Sequence, residues 1–186
     1  MGSPAAVKLG PGLLYVAPIG TTEPTTGSGA LPSAWVALGY TEEGSEVTFD
    51  MTFEDVEVAE ELDSVKTVAT GRATSVKFAL AEMCARNLST AFNGGTISSP
   101  SSGFVTFDPP DLGEETRLMI VWQADDNQER WLFRRCLQVG SVTIARKKAP
   151  DKATIPCEFK TEIPPDGSKP FRVWITASLD YDDPHS

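Results

Sequence analysis

Histidine occurs once in the 186 residues, at His185, beside the last position of the sequence. Nothing there can orient an imidazole, so Ser-His and Cys-His nucleophilic chemistry is excluded. Cysteine is scarce as well. Cys84, Cys136 and Cys157 are odd in number and lack CxxC spacing. Such a set reads as reduced thiols packed as small apolar groups, not as a disulfide framework or zinc site. No apolar run approaches the roughly 20 residues of a membrane span. The opening MGSPAAVKLG shows no apolar stretch followed by a cleavage site, so no secretory signal is expected. There is no GxSxG, Walker or GxGxxG motif, and GGTISSPSSG (94–103) lacks the Lys-Ser/Thr that would make it a phosphate cradle. No DxDxDG loop gathers the acids for calcium. The reading is a protein that is not an enzyme and has no catalytic residue, cofactor or metal.

The most informative absence is of positive charge. Between Lys8 and Lys66 lie 57 residues without Lys or Arg, and they carry eleven carboxylates. Elsewhere sixteen bases face fifteen acids, so the net charge of −10 arises in this one interval. An acidic chain of this kind repels nucleic-acid phosphates, which bind through Lys and Arg. Within the interval, Val47, Phe49, Met51 and Phe53 alternate with Thr48, Asp50, Thr52 and Glu54. Period two predicts a long strand from about 45 to 58, apolar on one face and acidic on the other. The apolar phase then passes to Val56 and Val58, which predicts a β-bulge at Glu54–Asp55.

The rest of the chain is also β in character. GLLYVAPIG (12–20) reads as a first strand, residues 35–40 as an extended segment, and 65–70 with 74–80 as strands around a turn or bulge at Gly71. Further strands are expected at 104–107, 117–123, 131–137, 139–145, 153–163 and 171–179. Pro156 demotes the fifth of these to an edge strand or bulge. Asp125-Asp126-Asn127 is a hairpin turn. One helix is expected, from the stripe Leu80, Met83, Cys84, Asn87, Leu88, Ala91 and Phe92, stopping at Asn93-Gly94-Gly95. Segments 21–33 and 96–103, rich in Thr, Ser, Gly and Pro, read as flexible loops, and the tail 180–186 as frayed. The whole reads as a single mainly-β domain over 1–186, a β-sandwich or barrel with one flanking amphipathic helix.

A second charge feature opposes the first. Arg130, Arg134, Arg135, Arg146, Lys147, Lys148 and Lys152 lie between 130 and 152 against a single acid, Asp151. The polarity fits pairing within one sheet, or acidic and basic surfaces of successive copies meeting head to tail.

GLLYVAPIGTTEP (12–24), WVALGYTEEG (35–44), SEVTFDMTFEDVEVAEELDSV (45–65) and KFALAEMCARNLSTAFNGG (77–95) together resemble the major tail protein of long-tailed bacteriophages. This is the tail tube subunit, and the likeness is strongest to phages infecting actinobacteria. The resemblance covers most of the chain in layout, and its recognisable text lies within 12–95. It implies a β-sandwich with one helix, assembling as hexameric rings whose long strands join a continuous barrel around a channel. It further implies stacking of rings by loops and arms, assembly in the host bacterial cytoplasm into the virion tail, and passage of DNA without specific binding. Tape measure, terminator and baseplate proteins are implied as partners, and no membrane is. The acidic strand fits this picture as a lumen wall that phosphates do not stick to.

On that reading Thr48, Asp50, Thr52, Glu54 and Glu57 line the channel. Lys77 is a departure, unless it faces and partly neutralises the acidic strand. Loop 21–33 and the turn Glu60–Ser64 are candidates for ring stacking. Glu60, Glu61, Asp63, Arg134, Arg135, Arg146, Lys147 and Lys148 are the candidates for contacts between subunits. Competing readings are a tail terminator or secretion-system tube component, a monomeric β-sandwich that binds carbohydrate or protein through an exposed aromatic platform, and an acidic hydrolase.

Overall fold

The alternating pattern of the sequence is realised as ten strands and one short helix in a computed structural model, which describes residues 12–60, 63–99, 103–146 and 148–176. The strands are β1 (Gly12–Pro18), β2 (Val36–Ala37), β3 (Thr41–Val56), β4 (Lys66–Leu80), β5 (Thr96–Ser98), β6 (Thr106–Asp108), β7 (Leu118–Ala124), β8 (Glu129–Gln138), β9 (Ile155–Thr161) and β10 (Phe171–Ile175). Helix α1 spans Ala85–Ala91. The main sheet runs β2-β1-β7-β8-β9-β4-β3, with β10 also pairing β8, and every pairing is antiparallel. β5 and β6 form a separate two-stranded hairpin.

The sheet closes over one apolar core because its two halves present apolar residues to each other. Leu14 and Val16 (β1), Ile120 (β7) and Phe133 (β8) meet Val76, Phe78 and Leu80 (β4) and Phe159 (β9) in a single cluster. Phe159 is fully buried and stacks on Phe78 with ring centroids 5.7 Å apart. Truncating it leaves a void that a close-packed core cannot fill by relaxing. Phe159→Ala is therefore expected to cost about 3–5 kcal/mol, read as a lower denaturation midpoint at unchanged m-value. The opposite face of β1, β7 and β8 carries a smaller cluster of Ala17, Met119, Val121 and Leu132, closed by Trp35.

The helix is shorter than its stripe. Leu80 is consumed by the β4 ladder, where it pairs with both Thr41 and Ile155, so helical geometry starts only after Cys84. Leu88 and Ala91 still pack on the core, and Asn87 Nδ2 ties the helix to Leu38 O at 3.1 Å and Glu82 O at 2.9 Å. The Asn-Gly-Gly stop works as its residue types predict. Asn93, Gly94 and Gly95 all take positive φ (59°, 117° and 104°), where a side chain is strained and glycine is not.

Four local expectations are corrected. The long strand is irregular between Thr41 and Ser45 but holds one phase from Ser45 to Val56, and the register shift opposite Thr52/Phe53 puts the extra residue, Thr70, on β4 beside Gly71. Residues 139–145 form no strand. Gln138 ends the ladder with its own side chain, whose Oε1 accepts from Gly140 N and Glu158 N while Nε2 donates to Gly140 O. β9 is interior rather than an edge, and it tolerates Pro156 because β8 pairs only with residues 159–161, beyond the proline. Residues 96–98, read as loop, pair with β6.

Loop 21–33 has no regular structure, as its composition predicts, but it is tied down. Arg134 bonds both oxygens of Glu23 at 2.6 and 2.9 Å, and Trp35 Nε1 donates to Thr22 O at 3.0 Å. Arg130, 1% exposed, donates Nη1 to Thr26 O at 2.7 Å, Nη2 to Gly29 O at 2.6 Å and Nε to Gln123 Oε1. The tail 180–186 lies outside the described residues.

Candidate assembly surface

β3 and β4 are 16 and 15 residues long, far more than the sheet behind them can cover. β9 pairs only with Ser75–Leu80 of β4. Beyond that stretch the two strands continue as an arm paired only to each other, closed by Val65 N donating to Val56 O at 2.9 Å. β3 ends the sheet, so its outer edge carries no strand partner among the described residues, and neither does the β9-side edge of β4 from 66 to 73, Thr74 O accepting from Thr161 Oγ1 at 3.3 Å. A two-stranded ribbon with both edges open is marginal in water and invites further strands.

The faces of this arm differ. Thr48, Asp50, Thr52 and Glu54 share one face of an unbroken strand, opposite Ser75, Ala73, Gly71 and Val68. Asp50, Thr52 and Glu54 are exposed, Thr48 is half-buried, and Glu57 is exposed just past the strand. Val56 joins the acidic face, since no bulge intervenes in β3, while Asp55 turns to the other and accepts from Thr67 Oγ1 at 2.6 Å. On the apolar face, Val47 lines a hollow with Trp122 and Trp131, and Phe49 meets Phe171 edge-on with centroids 6.2 Å apart. Met51 and Phe53 reach nothing comparable and stand exposed. The apolar side of the long strand therefore covers its own core only along the first half.

The cations divide into two groups. Lys77 lies opposite Glu46 and pairs at 3.4 Å with Glu158 of β9, so it is partly neutralised, though chiefly by β9 and not by the acidic strand. Arg134 and Arg135, named as candidates for contacts between subunits, each meet a carboxylate of their own chain. Arg134 is buried on Glu23, and Arg135 holds Glu162 at 2.7 Å, with Arg117 on the same carboxylate at 3.3 Å. Their guanidinium groups are already engaged within the chain. Arg146 and Lys148 are exposed, with no ion pair among the described residues. Glu60 and Asp63 stand exposed in the turn of the arm, whereas Glu61 and Lys147 lie outside the described residues.

Glu162 is held below the usual carboxylate range, first by the Arg135 hydrogen bond and then by Arg117, with burial acting the other way. A depressed carboxylate stabilises the fold above its ordinary pKa and loses that contribution as pH falls through the lowered value. Glu162→Gln is expected to cost about 1 kcal/mol at neutral pH, because the site is partly exposed and screened. The difference from wild type should close below roughly pH 4, in urea melts run across a pH series.

A surface hollow of about 500 Å³ is lined by Glu46, Lys77, Cys157 and Glu158 among others. Burial pushes the Cys157 thiol up to about 12, which leaves no thiolate to act as a nucleophile there. No group of three or more His, Cys, Asp or Glu side chains converges for a metal among the described residues. No helix among them is long and apolar enough to cross a membrane.

The β3–β4 hairpin thus runs beyond the sheet with open edges and two dissimilar faces. The family profile for phage tail tube protein matches residues 3–179. The chain belongs to that family. It is thus a structural protein of the virion tail. No curated protein matches this tail tube protein. Among solved structures, a chain in the cryo-EM structure of the anti-feeding prophage baseplate, 6-fold symmetrised, is similar to it. That match has a TM-score of 0.49 and 11% identity, covering 95% of this chain and 99% of the other.

The exposed apolar half of the tail tube protein's arm was already encoded in the alternation of 47–53, but alternation cannot say that the strand outruns its own sheet. The anchoring of loop 21–33 by Arg130 and Arg134 had no signal in the sequence beyond their even spacing with buried Leu132.

Proposed function

We propose that this tail tube protein polymerises as stacked rings, hexameric as the family resemblance implies, to form the channel through which DNA leaves the capsid. The observation that carries this reading is the β3–β4 arm, with both edges open, an apolar face left exposed and an acidic face opposite. Pairing the open edges with neighbouring subunits removes them from solvent and satisfies their backbone groups. Met51 and Phe53 then pack against the next subunit in the ring. Thr48, Asp50, Thr52, Glu54 and Glu57 face the lumen, where a like-charge field keeps phosphates from adhering. DNA passes without specific binding. Terminator, tape measure and baseplate proteins cap, measure and nucleate the tube, assembled in the host bacterial cytoplasm.

Negative-stain electron microscopy of the purified protein across a concentration series tests the reading. Stacked rings with a central hole are expected, with their fraction rising with concentration. Uniform monomers at every concentration, persisting after addition of preformed tail tips as nuclei, would sink it.

A further inference from the structure

Opposite Met51, the apolar face of the β3–β4 arm carries a base, Arg72. Arg72 is exposed and has no ion-pair partner among the described residues. Directly opposed residues on one face of a sheet keep their Cβ atoms about 5 Å apart, so Met51 and Arg72 present an apolar group and a cation as one unit. The acid of that face, Asp55, lies further along β3 and accepts from Thr67 Oγ1 at 2.6 Å.

The hollow at the base of the arm has the complementary makeup. It measures about 170 Å³ and is lined by Ser45, Val47, Val76, Trp122, Glu129 and Trp131. Both tryptophans are only half-buried, and Glu129 is the one charged residue of the lining. Glu129 Oε1 accepts from Trp131 Nε1, which holds the carboxylate beside the indole. No cation pairs with Glu129 among the described residues, and the turn before it adds the exposed Asp125 and Asp126. Within one copy the two charges do not meet. Arg72 sits level with Met51, about 13 Å along the strand from Val47 at the hollow.

We propose that Met51 of one copy enters the Trp122–Trp131 hollow of a second copy, with Arg72 closing on Glu129 at its rim. The contact rests on the tube reading above and names the surface that the arm meets. Methionine is a flexible, polarisable filler that gains from sulfur–aromatic contact, which the two indoles supply. The ion pair sets the register. Sliding the arm by two residues would offer another apolar side chain to the hollow but carry Arg72 about 7 Å from Glu129. Each copy has one arm and one hollow, so the contact is heterologous and closes into a ring when the rotation between copies closes.

Arg72→Glu, and separately Glu129→Lys, should each raise the concentration needed for ring formation by roughly tenfold or more. Each variant keeps the other half of the contact. Mixing the two in equal amounts should therefore restore assembly toward wild type, which a contact within one chain would not allow. Circular dichroism checks folding. Glu129→Gln keeps the acceptor for Trp131 Nε1, removes only the charge and should still weaken assembly. Unchanged rings in Arg72→Glu, or variants as defective mixed as alone, overturn the contact, while rings in the wild type leave the tube reading standing. If the wild type forms no rings, that reading fails, and sedimentation of the same proteins decides the contact as pairwise association, restored or not by mixing. Tryptophan fluorescence that shifts on removing residues 1–11, and not with protein concentration, would give the hollow to the chain's own N-terminal segment and overturn the contact as well.

Discussion

Arg130→Met should lower the unfolding free energy by about 3–5 kcal/mol and release loop 21–33 from protection against hydrogen exchange. The buried guanidinium has no carboxylate partner among the described residues. Its acceptors are Thr26 O, Gly29 O and Gln123 Oε1, and Gln123 Nε2 in turn reaches Gly27 O at 3.4 Å. Burial pulls its pKa below the ordinary arginine value, yet the group stays charged because its starting value is so high. Methionine of similar reach would fill much of the volume but donate nothing, leaving the buried Gln123 Oε1 unpaired and the loop carbonyls of Thr26 and Gly29 without their donor. Lysine should rescue little, since one ammonium cannot serve three acceptors arranged for a planar fork. Gly27 adds a steric lock. A Cβ there would lie 2.7 Å from Trp174 Cβ, so the loop fits over the sheet only as glycine. A loss below about 1 kcal/mol would mean that water replaces the guanidinium and that the loop is held by Glu23–Arg134 and Trp35 instead.

The second large effect is expected in DNA passage. Asp50→Lys combined with Glu54→Lys changes the charge of each subunit's acidic face by four without touching the apolar face or the ladder. Phage particles carrying it should form tails of normal length and eject DNA at least about tenfold more slowly at low ionic strength, recovering as salt rises, because each lysine now binds phosphate by counterion release. Ejection at the wild-type rate would place these residues away from the lumen. Tubes that fail to form would place them in a subunit interface, and the assignment of the two faces would be reversed.

Much of this was legible in the sequence because strand alternation is local. Val47 to Glu54 sort into two faces whatever the rest of the chain does, and Asn93-Gly94-Gly95 stops a helix by its own backbone preferences. The missing positive charge from 9 to 65, the lone histidine and the absence of motifs turned the reading toward a structural role before any fold was known. Where local pattern misled, a distant partner decided. Val139–Ala145 alternates like a strand, but Gln138 and Glu158 take the hydrogen bonds that a ladder would need. Pro156 signals an edge, yet β8 simply stops short of it. The apparent phase slip at Glu54–Asp55 is not a bulge in β3, because the extra residue sits across the ladder at Thr70.

The sequence by itself therefore determined a mainly-β, acidic, non-motif chain with a two-faced strand, since composition and period act at short range. Only the tertiary structure decided which charges are available and which are consumed. Arg134 and Arg135 count as surface cations in a sequence, but loop 21–33 and Glu162 bring carboxylates to them from 111 and 27 residues away. The same holds for the arm. Its apolar face is exposed because β9 pairs with only the last six residues of β4, a matter of strand lengths meeting in space that no single segment records.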